Sequence, residues 1–437
     1  MGKFEAQLCS PQIKVAPWWW EWAPREVNNP PILPEATEIA VVGTGFTGLS
    51  AALELARNGK QVTVFDSGAP GQGASSRNGG QIGSGNQRFT VARLIELFGR
   101  QQAKALLNEG VAALNYVGEL IEREKLECYF ERVGRFRGAI RSAHYEPMVA
   151  DHQQLSDLTG VEFYDVPKSH QATEIGSDYY QGGVVLPGDA NLHPGLYQSE
   201  LLRIVRDAGV SIVPFTEVLK ISRERQRLLL STKRGEVTAG DVIIATNGYT
   251  TSSTPSFHAR VLPVGSAIIA TEPLPAATIS RLMPRSRVIG ETRRVFYYYR
   301  VCPEKRRILF GGRMVSPSPQ AKIEDFAHLH RGMCEIFPEL VHTKVTHCWT
   351  GYVGYTRDTF PHMGKQEGLF YALGYCGSGV ARATYLGHKL ARKMLGQEDG
   401  RAAWDHLAFE RYLFPATTKR LLPLAVAWHR IRDRIGV

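Results

Sequence analysis

The segment from residue 39 to residue 66 constrains the fold of this chain more than any other. The apolar run at 39–42 predicts a short buried strand, and it leads directly into Gly-Thr-Gly-Phe-Thr-Gly at 43–48. A helix is predicted from Leu49 to Asn58 and a second strand from Gln61 to Phe65. A strand, a glycine-rich turn, a helix and a second strand within about 30 residues are typical of a parallel β-α-β unit.

The glycine turn of this unit predicts a dinucleotide site. Gly43 permits the tight turn, Gly45 lets the backbone approach a pyrophosphate, and Gly48 lets the helix pack closely on the strand. The N-terminus of the helix presents unpaired N–H groups and a positive dipole end to the phosphates. Asp66 ends the second strand and is placed to accept hydrogen bonds from ribose hydroxyls. The pattern predicts bound FAD or NAD.

A second ligand loop is predicted at 71–81, where the sequence is Gly-Gln-Gly-Ala-Ser-Ser-Arg-Asn-Gly-Gly-Gln. Its small residues let backbone N–H groups approach a phosphate or a ring, and Arg77 adds a cation. A surface loop without a ligand is the alternative interpretation.

Charge and cysteine usage exclude several classes of protein. The formal net charge is +10, from 52 Lys and Arg against 42 Asp and Glu. Half of this excess lies at 411–437, so it is partly local to the C-terminal segment, and we predict no nucleic-acid partner. The six cysteines stand singly, without C-x-x-C pairs or His/Cys clusters. We therefore predict neither a disulfide scaffold nor a metal site.

The two ends of the chain have their own character. Residues 1–37 read as irregular, with tryptophan at positions 18, 19, 20 and 22. They predict an arm packed on the body, with an aromatic lid or partner surface as the alternative. Because the apolar runs are too short to span a membrane and no signal-peptide core is visible, we expect a cytoplasmic protein.

The C-terminal segment predicts an amphipathic helix. One helical stripe is formed by Leu421, Leu424, Trp428, Ile431 and Ile435. We expect this helix to dock on the protein's own body. The alternatives are an oligomer contact and peripheral binding at the inner face of the membrane, which suits an enzyme that passes electrons to a quinone.

Five ordered blocks together resemble the D-amino-acid oxidase-like family of FAD-dependent oxidoreductases, over residues 38–395. They are residues 43–48 with Asp66, residues 73–80, residues 192–194, residues 242–249, and the run from Trp349 through Asp358, Pro361 and Gly364 to Gly379. Within the family, the Arg-Asn-Gly-Gly-Gln run at 77–81 is most similar to the γ-glutamylputrescine oxidoreductase branch.

The resemblance implies a fold of the α/β and α+β classes. A Rossmann-like FAD-binding domain would be interleaved with a substrate domain built on an antiparallel β-sheet. The expected segments are an arm at 1–37, FAD-binding parts at 38–127, 191–255 and 346–395, substrate parts at 128–190 and 256–345, and a basic helical segment at 396–437. Strands with period-two alternation are expected to dominate the first substrate part.

The resemblance also implies FAD and the residues that hold it. At the ADP half these are Gly43, Gly45, Phe46, Thr47, Gly48, Asp66 and Ser67, with the backbone of Val218 at the adenine and with Asn247 and Gly248 closing over the ADP side. At the pyrophosphate and flavin they are Gly73, Ala74, Ser75, Arg77, Asn78, Gly79, Gly80, Gln81, Gly351, Gly377, Ser378, Gly379 and Val380. We expect the FAD to be non-covalent, with Cys348 as the alternative point of attachment.

The implied reaction is hydride transfer from a C–N bond to the flavin, giving an imine that water hydrolyses. Amino-acid oxidases of the family often carry an arginine that clamps the substrate carboxylate, and here Val353 stands at that position. Arg300, Arg313 or Arg357 could replace it. We therefore expect a polyamine-type or γ-glutamylated amine, with a secondary or cyclic amino acid (pipecolate, sarcosine or proline type) as the alternative. The electron acceptor is O₂ or a quinone.

An aromatic strand supplies candidates for the substrate wall. In a strand at 295–300, Tyr297 and Tyr299 share one face while Phe296 and Tyr298 share the other. The predicted site residues are Tyr297, Tyr299, Tyr355 and His362, with Trp349 as a further wall candidate. Cross-strand packing is the alternative role of these aromatic residues. An aromatic pocket with little water favours a neutral amine, which is the form that can lose a hydride.

Overall fold

Two large β-sheets, of nine and eight strands, organise the protein. The computed structural model describes residues 3–27, 29–85, 89–314 and 321–413, and beyond these only Thr418, Leu421, Val426, Trp428 and Arg432. Within that part of the chain the helices are α1 (Lys3–Leu8), α2 (Phe46–Arg57), α3 (Val91–Arg123), α4 (Ser142–Thr159), α5 (Pro194–Asp207), α6 (Pro255–His258), α7 (Ala276–Leu282), α8 (Ala327–Ile336) and α9 (Gly379–Met394).

The strands in the same ranges follow the chain as β1 (Cys9–Lys14), β2 (Ala36–Val42), β3 (Val62–Phe65), β4 (Gln81–Ile82), β5 (Arg135–Gly138), β6 (Tyr164–Val166), β7 (Gly183–Leu186), β8 (Ala190–Asn191), β9 (Ser211–Val213), β10 (Val218–Glu224), β11 (Arg227–Thr232), β12 (Gly235–Ile244), β13 (Leu262–Thr271), β14 (Val288–Glu291), β15 (Tyr298–Val301), β16 (Ile308–Arg313), β17 (Val345–Tyr355), β18 (His362–Gln366) and β19 (Leu369–Leu373).

The eight-stranded sheet has a parallel centre in the order β12-β2-β3-β9. Val41 of β2 pairs with Val64 of β3, and both side chains are fully buried, as expected for a sheet covered on both faces. Helices α2 and α9 pack on it through residues such as Leu49 and Leu386. The ends of β2 and β12 meet next to the glycine turn, at the edge where open α/β sheets bind ligands.

The nine-stranded sheet runs β1-β17-β13-β16-β15-β14-β5-β7-β6. Its neighbouring strands are antiparallel except for the parallel pairs β1–β17 and β14–β5. Helices α7 and α8 cover it and share its core with residues such as Phe310 and Met333. The predicted combination of a Rossmann-like unit with an interleaved, largely antiparallel sheet is confirmed.

Several local predictions were wrong. Residues 142–159 form α4, where alternating strands were expected. Met148, His152, Leu155 and Leu158 form a helical stripe along it, and Gly160 ends the helix at φ 75°. Strand β17 belongs to the nine-stranded sheet, so the boundary predicted between residues 345 and 346 falls inside a strand. The change of sheet comes after Tyr355.

The N-terminal arm is more regular than expected. It contains α1 and β1, and β1 adds to the edge of the nine-stranded sheet by pairing in parallel with β17. Trp18 and Trp19 are buried in a cluster with Ile268 and Trp349. The arm is thereby part of the packed body.

The C-terminal stripe falls largely outside the described residues. Leu424, Ile431 and Ile435 are not among them, while Leu421 and Trp428 are 52% and 58% exposed and Val426 is buried. In the part of the chain that the structure describes, no helix combines the length and the apolar character needed to cross a membrane.

Candidate active site

One cavity, of about 760 Å³, is lined by the glycine turn after β2 and by residues of both large sheets. Its volume lies in the range of about 300–1,000 Å³ that is usual for small-molecule and cofactor sites. The predicted cofactor residues that line it are Gly43, Gly45, Phe46, Thr47, Asp66, Ser67, Gly73, Ala74, Ser75, Arg77, Asn78, Gly79, Gln81, Val218, Asn247, Gly351, Gly377, Ser378, Gly379 and Val380.

Three of the predicted residues lie behind this wall. A Cβ on Gly48 would lie 2.0 Å from the carbonyl oxygen of Gly43, so Gly48 serves the close packing of α2 on the turn. A Cβ on Gly80 would lie 2.2 Å from the carbonyl oxygen of Leu192. A Cβ on Gly248 would lie 3.0 Å from the backbone nitrogen of Gly354. Gly80 and Gly248 therefore shape the cavity from outside, which corrects their placement at the ligand.

The turn and Asp66 are locked together at one end of the cavity. Gly43 has φ 111°, a conformation that favours glycine. Asp66 accepts hydrogen bonds from the backbone N–H of Thr44 at 2.8 Å and of Gly68 at 3.0 Å, and from the Thr44 hydroxyl. Burial raises the pKa of Asp66, while these hydrogen bonds favour its charged form. The carboxylate is fixed at the cavity wall, where it can also accept from a ribose.

The second loop is tied to the first through Ser75. Its hydroxyl accepts a hydrogen bond from the backbone N–H of Phe46 at 3.0 Å, and a Cβ on Gly45 would lie 3.0 Å from the same oxygen. Arg77 donates from Nε to the carbonyl of Gln72 at 2.6 Å, and burial lowers its pKa. The Asn78 side chain accepts from the N–H of Gly80 at 2.8 Å. The loop is an ordered cradle with a cation in its wall.

The tryptophan-rich arm holds this loop from behind. The indole N–H of Trp19 donates to the carbonyl of Asn78 at 2.8 Å, and that of Trp20 donates to the Ser76 hydroxyl at 2.9 Å. The Arg77 guanidinium lies 4.5 Å from the centre of the Trp20 ring. Trp349 donates to the carbonyl of Arg77 at 2.8 Å. The tryptophan cluster is visible in the sequence, but the sequence does not indicate that it contacts the loop at 74–78.

Two helix N-termini meet at the cavity. Gly45, Phe46 and Thr47 begin α2, while Ser378 and Gly379 begin α9, and all five residues line the wall. The hydroxyl groups of Thr47 and Tyr375 are 2.6 Å apart and join the two ends. Both positive dipole ends stabilise negative charge on a bound ligand. A dinucleotide with a pyrophosphate fits this arrangement.

The structure corrects the choice of aromatic face. Tyr299 is fully buried in the core of the nine-stranded sheet, with its hydroxyl 2.9 Å from that of Tyr180, and Tyr297 packs on Phe310. The opposite pair, Phe296 and Tyr298, lines the cavity. Tyr298 and Tyr299 are consecutive residues of β15, so their side chains point to opposite sides of the sheet. Tyr297 and Tyr299 are therefore core residues.

Tyr298 is the central residue of the aromatic wall. Its hydroxyl lies 2.8 Å from that of Ser266, and burial raises its pKa to about 12. Its ring fits against glycines, since a Cβ on Gly311 would lie 2.4 Å from it and a Cβ on Gly79 3.1 Å. Tyr355 and Trp349 also line the cavity.

His362 lies outside the cavity. It is buried at the start of β18, its ring stacks on Phe409 at 4.5 Å, and Nε2 is 3.0 Å from Asp358 Oδ1. Strand β18 pairs with β19 in the eight-stranded sheet, and His362 is not among the residues that line the cavity. The prediction of His362 as a site residue was wrong for this reason.

Val353 lines the cavity. Of the three arginines that could bind a substrate carboxylate in place of an arginine at position 353, one also lines it. Arg313 reaches the wall and donates to the Tyr355 hydroxyl at 2.5 Å. Arg300 is buried elsewhere and donates to the carbonyls of Gly80 and Leu192. Arg357 is exposed and paired with Glu410 at 2.8 Å.

A charged section of the cavity was missed by sequence reasoning. Arg135 and Arg137 of β5 line it, together with Asp151, His152, Asp189, Glu291 and Arg293. The available signal was the spacing of the two arginines, which puts both on one face of a strand. Burial lowers the pKa of His152, so this imidazole is neutral near pH 7.

Neither cysteine near the C-terminal block lines the cavity. Cys348 is fully buried in the core of the nine-stranded sheet, where burial raises its pKa to about 12. Cys376 is buried with its Sγ 3.4 Å from the Thr356 hydroxyl. Among residues with a described position, no group of three or more His, Cys, Asp or Glu side chains is arranged to hold a metal ion.

Comparison with known proteins places this cavity in context. Residues 38–393 match the family described as FAD dependent oxidoreductase. A probable oxidoreductase, OrdL, of Rhizobium meliloti is 31% identical and covers 95% of this chain and 97% of its own length. The γ-glutamylputrescine oxidoreductase of Escherichia coli is 25% identical, with the same two coverages. Glycine oxidase of Geobacillus kaustophilus has the same fold, with a TM-score of 0.73, 18% identity, and coverage of 87% of this chain and 99% of that one.

Proposed function

This chain belongs to the FAD-dependent oxidoreductase family, and within it we propose that the protein oxidises the C–N bond of an amine of the polyamine or γ-glutamylated type. The observation that carries this proposal is Val353. An apolar side chain lines the cavity where related amino-acid oxidases often carry the arginine that clamps an α-carboxylate. The similarity to γ-glutamylputrescine oxidoreductase supports the same class of substrate.

The residues that line the cavity fit FAD, which supplies the two-electron oxidant when bound. The substrate carbon gives up a hydrogen with its electron pair, and the nitrogen lone pair forms the C=N bond. Water then adds to the imine, which breaks down to an aldehyde and an amine or ammonia. The protein therefore has to orient the substrate C–H bond towards the flavin and keep the substrate nitrogen unprotonated.

The aromatic wall supports this role. Phe296, Tyr298, Trp349 and Tyr355 line one section of the cavity. Such surroundings disfavour a charged ammonium by desolvation, and so lower the pKa of a bound amine. Ser266 fixes the Tyr298 hydroxyl, so the wall presents ring faces and not mobile side chains.

A second candidate is oxidation of a secondary or cyclic amino acid. Arg313 favours it, because its guanidinium enters the cavity beside Tyr355 and could hold a carboxylate near the aromatic wall. The two candidates differ in where the substrate carries its charge.

Anaerobic titration of the purified holoenzyme distinguishes the candidates. Putrescine, γ-glutamylputrescine, pipecolate, sarcosine and proline would each be added while the visible flavin band is recorded. Alcohols of matched chain length serve as controls, because they lack a C–N bond. We expect the band to bleach with the amines and to persist with the alcohols. Bleaching by the amino acids alone would transfer the proposal to the second candidate, and bleaching by none of them would refute both.

Readmitting air after bleaching identifies the electron acceptor. Rapid return of the band indicates that O₂ reoxidises the flavin. A band that returns only after a soluble quinone is added indicates a dehydrogenase.

A further inference from the structure

Arg137 stands apart from the other cationic side chains of the cavity. It lines the cavity from β5, and burial lowers its pKa below the usual value for arginine. Asp151 and Arg135 both influence it electrostatically. Within the described part of the chain, its guanidinium makes no hydrogen bond and no ion pair within 4 Å. A guanidinium has five N–H donors, so this one is available to a ligand.

The neighbouring charges are already engaged. Arg135 donates from Nε to Asp189 at 2.7 Å and from Nη1 to Gln81 at 3.0 Å. Asp151 accepts from the backbone N–H of Val91 at 2.7 Å, which uses one of its oxygens. Arg293 lies 3.5 Å from Glu291. A partly buried charge without a partner is costly in a folded protein, and this points to an anionic ligand.

Strand β5 carries Arg137 two residues past Arg135, the residue that contacts the cofactor loop. Arg135 touches Gln81, which belongs to the cofactor loop. Arg137 lies two residues further along the same face of β5, about 7 Å away at 3.3–3.4 Å per residue. Its register partner on β14 is Gly290, which also lines the cavity and leaves room there. The site is thus set beyond the loop, towards α4.

We propose that Arg137 binds a carboxylate carried by the substrate at a distance from the C–N bond that is oxidised. This inference rests on the proposed function and names its substrate more closely. A γ-glutamylated amine has such a carboxylate at the end opposite its reactive amine, whereas an α-amino acid carries it on the reacting carbon. Asp151 influences Arg137 electrostatically and lines the same cavity, so it offers a carboxylate to an ammonium next to the bound carboxylate.

A probe that lacks the terminal amine tests binding when it is titrated without oxygen and the flavin band is recorded to show that no reaction occurs. γ-Glutamylethylamide keeps the amino-acid head and has no terminal amine to oxidise, and its α-carboxamide has the same shape without the negative charge. Both would be titrated into the holoenzyme by calorimetry at constant pH and salt. We expect the wild type to bind the carboxylate about 10- to 100-fold more tightly than the amide, as for hydrogen bonds between charged groups.

Three variants locate the interaction. Arg137→Gln should bind both probes equally, and Arg137→Lys should keep only part of the preference because it lacks the planar fork. Arg132→Gln changes an exposed arginine five residues earlier and should keep all of it. If Arg137→Gln does not retain FAD, Arg137→Lys provides the test, because a reduced preference for the carboxylate over the amide in that variant supports the inference.

The outcomes separate this inference from the proposed function. A wild type without preference overturns it, and so does a preference that survives Arg137→Gln or disappears in Arg313→Gln instead. If amines bleach the flavin but the preference is absent, this inference alone fails. If the preference depends on Arg137 but no amine bleaches the flavin, the proposed oxidation fails and the carboxylate site stands.

Discussion

Replacing Trp20 with alanine should weaken FAD binding although this residue does not line the cavity. The substitution removes the hydrogen bond from the indole N–H to the Ser76 hydroxyl and the ring over which Arg77 lies at 4.5 Å. Both contacts hold the loop at 74–78 through a residue that is not part of the cavity wall. Without them, the loop would occupy the binding arrangement for only a fraction of the time, and the apparent Kd would rise by the reciprocal of that fraction.

The contacts set the size of the effect. A hydrogen bond of this kind contributes about 0.5–1.5 kcal/mol. A cation–π contact contributes about 0.5–2 kcal/mol, depending on its exposure. Their sum of about 1–3.5 kcal/mol corresponds to a Kd for FAD that is raised about 5- to 300-fold. Trp20→Phe keeps a ring under Arg77 and loses the N–H, so it should fall between the alanine variant and the wild type.

Titration of the apoprotein with FAD, followed by flavin fluorescence, measures this Kd directly. Trp22→Ala is the matched control. It removes a tryptophan of the same arm whose ring packs on His193 and Tyr129 and not on the loop. Equal weakening by Trp20→Ala and Trp22→Ala would show that the arm acts only through general stability. An unchanged Kd in Trp20→Ala would refute the reasoning.

Three further predictions test other parts of the site. Gly48→Ala places a Cβ 2.0 Å from a backbone oxygen of the turn, so the purified variant should contain little FAD, and a stoichiometric flavin content would contradict this. Glu54 of α2 bonds to His388 and Arg392 of α9, which lowers its pKa from 4.5 to about 2. Glu54→Gln should therefore lower the free energy of unfolding, measured in urea at pH 7, by about 1–2 kcal/mol. This difference from the wild type should shrink as the pH falls from 4.5 towards 2. A difference of the same size at pH 7 and pH 3 would contradict this prediction. Because the pKa of Tyr298 is raised to about 12, the rate of flavin reduction should show no titration of this residue between pH 7 and pH 10, whereas a kinetic pKa near 10 that disappears in Tyr298→Phe would contradict this.

The cofactor end was predictable because its signals are local. The turn at 43–48, its flanking strands and Asp66 lie within 30 residues, and their geometry follows from which residues are glycine. The order of blocks along the chain then predicted two interleaved units. The sheet topology confirms these two units, because the strand order does not depend on the direction in which individual side chains point.

The substrate end was not predictable in the same way. Whether Tyr297 or Tyr298 faces the cavity depends on the pairing of β15 with β16, and a shift of one residue exchanges the two faces of a strand. The cavity residues around Arg137 and the partners of Trp20 come from distant parts of the chain, so no local pattern contains them. The helix at 142–159 was not predicted for a related reason. Its stripe of buried residues is interrupted by polar residues, so the helical pattern is weak in the sequence alone.

The pairing of β1 with β17 has a consequence for the order in which the protein matures. Cys9 lies opposite Val345, so the arm is synthesised long before the strand that receives it. Contacts between residues so far apart in sequence form late, after the intervening chain has closed its loop. The tryptophans that secure the flavin loop belong to this same arm. We therefore expect the cofactor to be held stably only after β17 has been synthesised and has paired with β1.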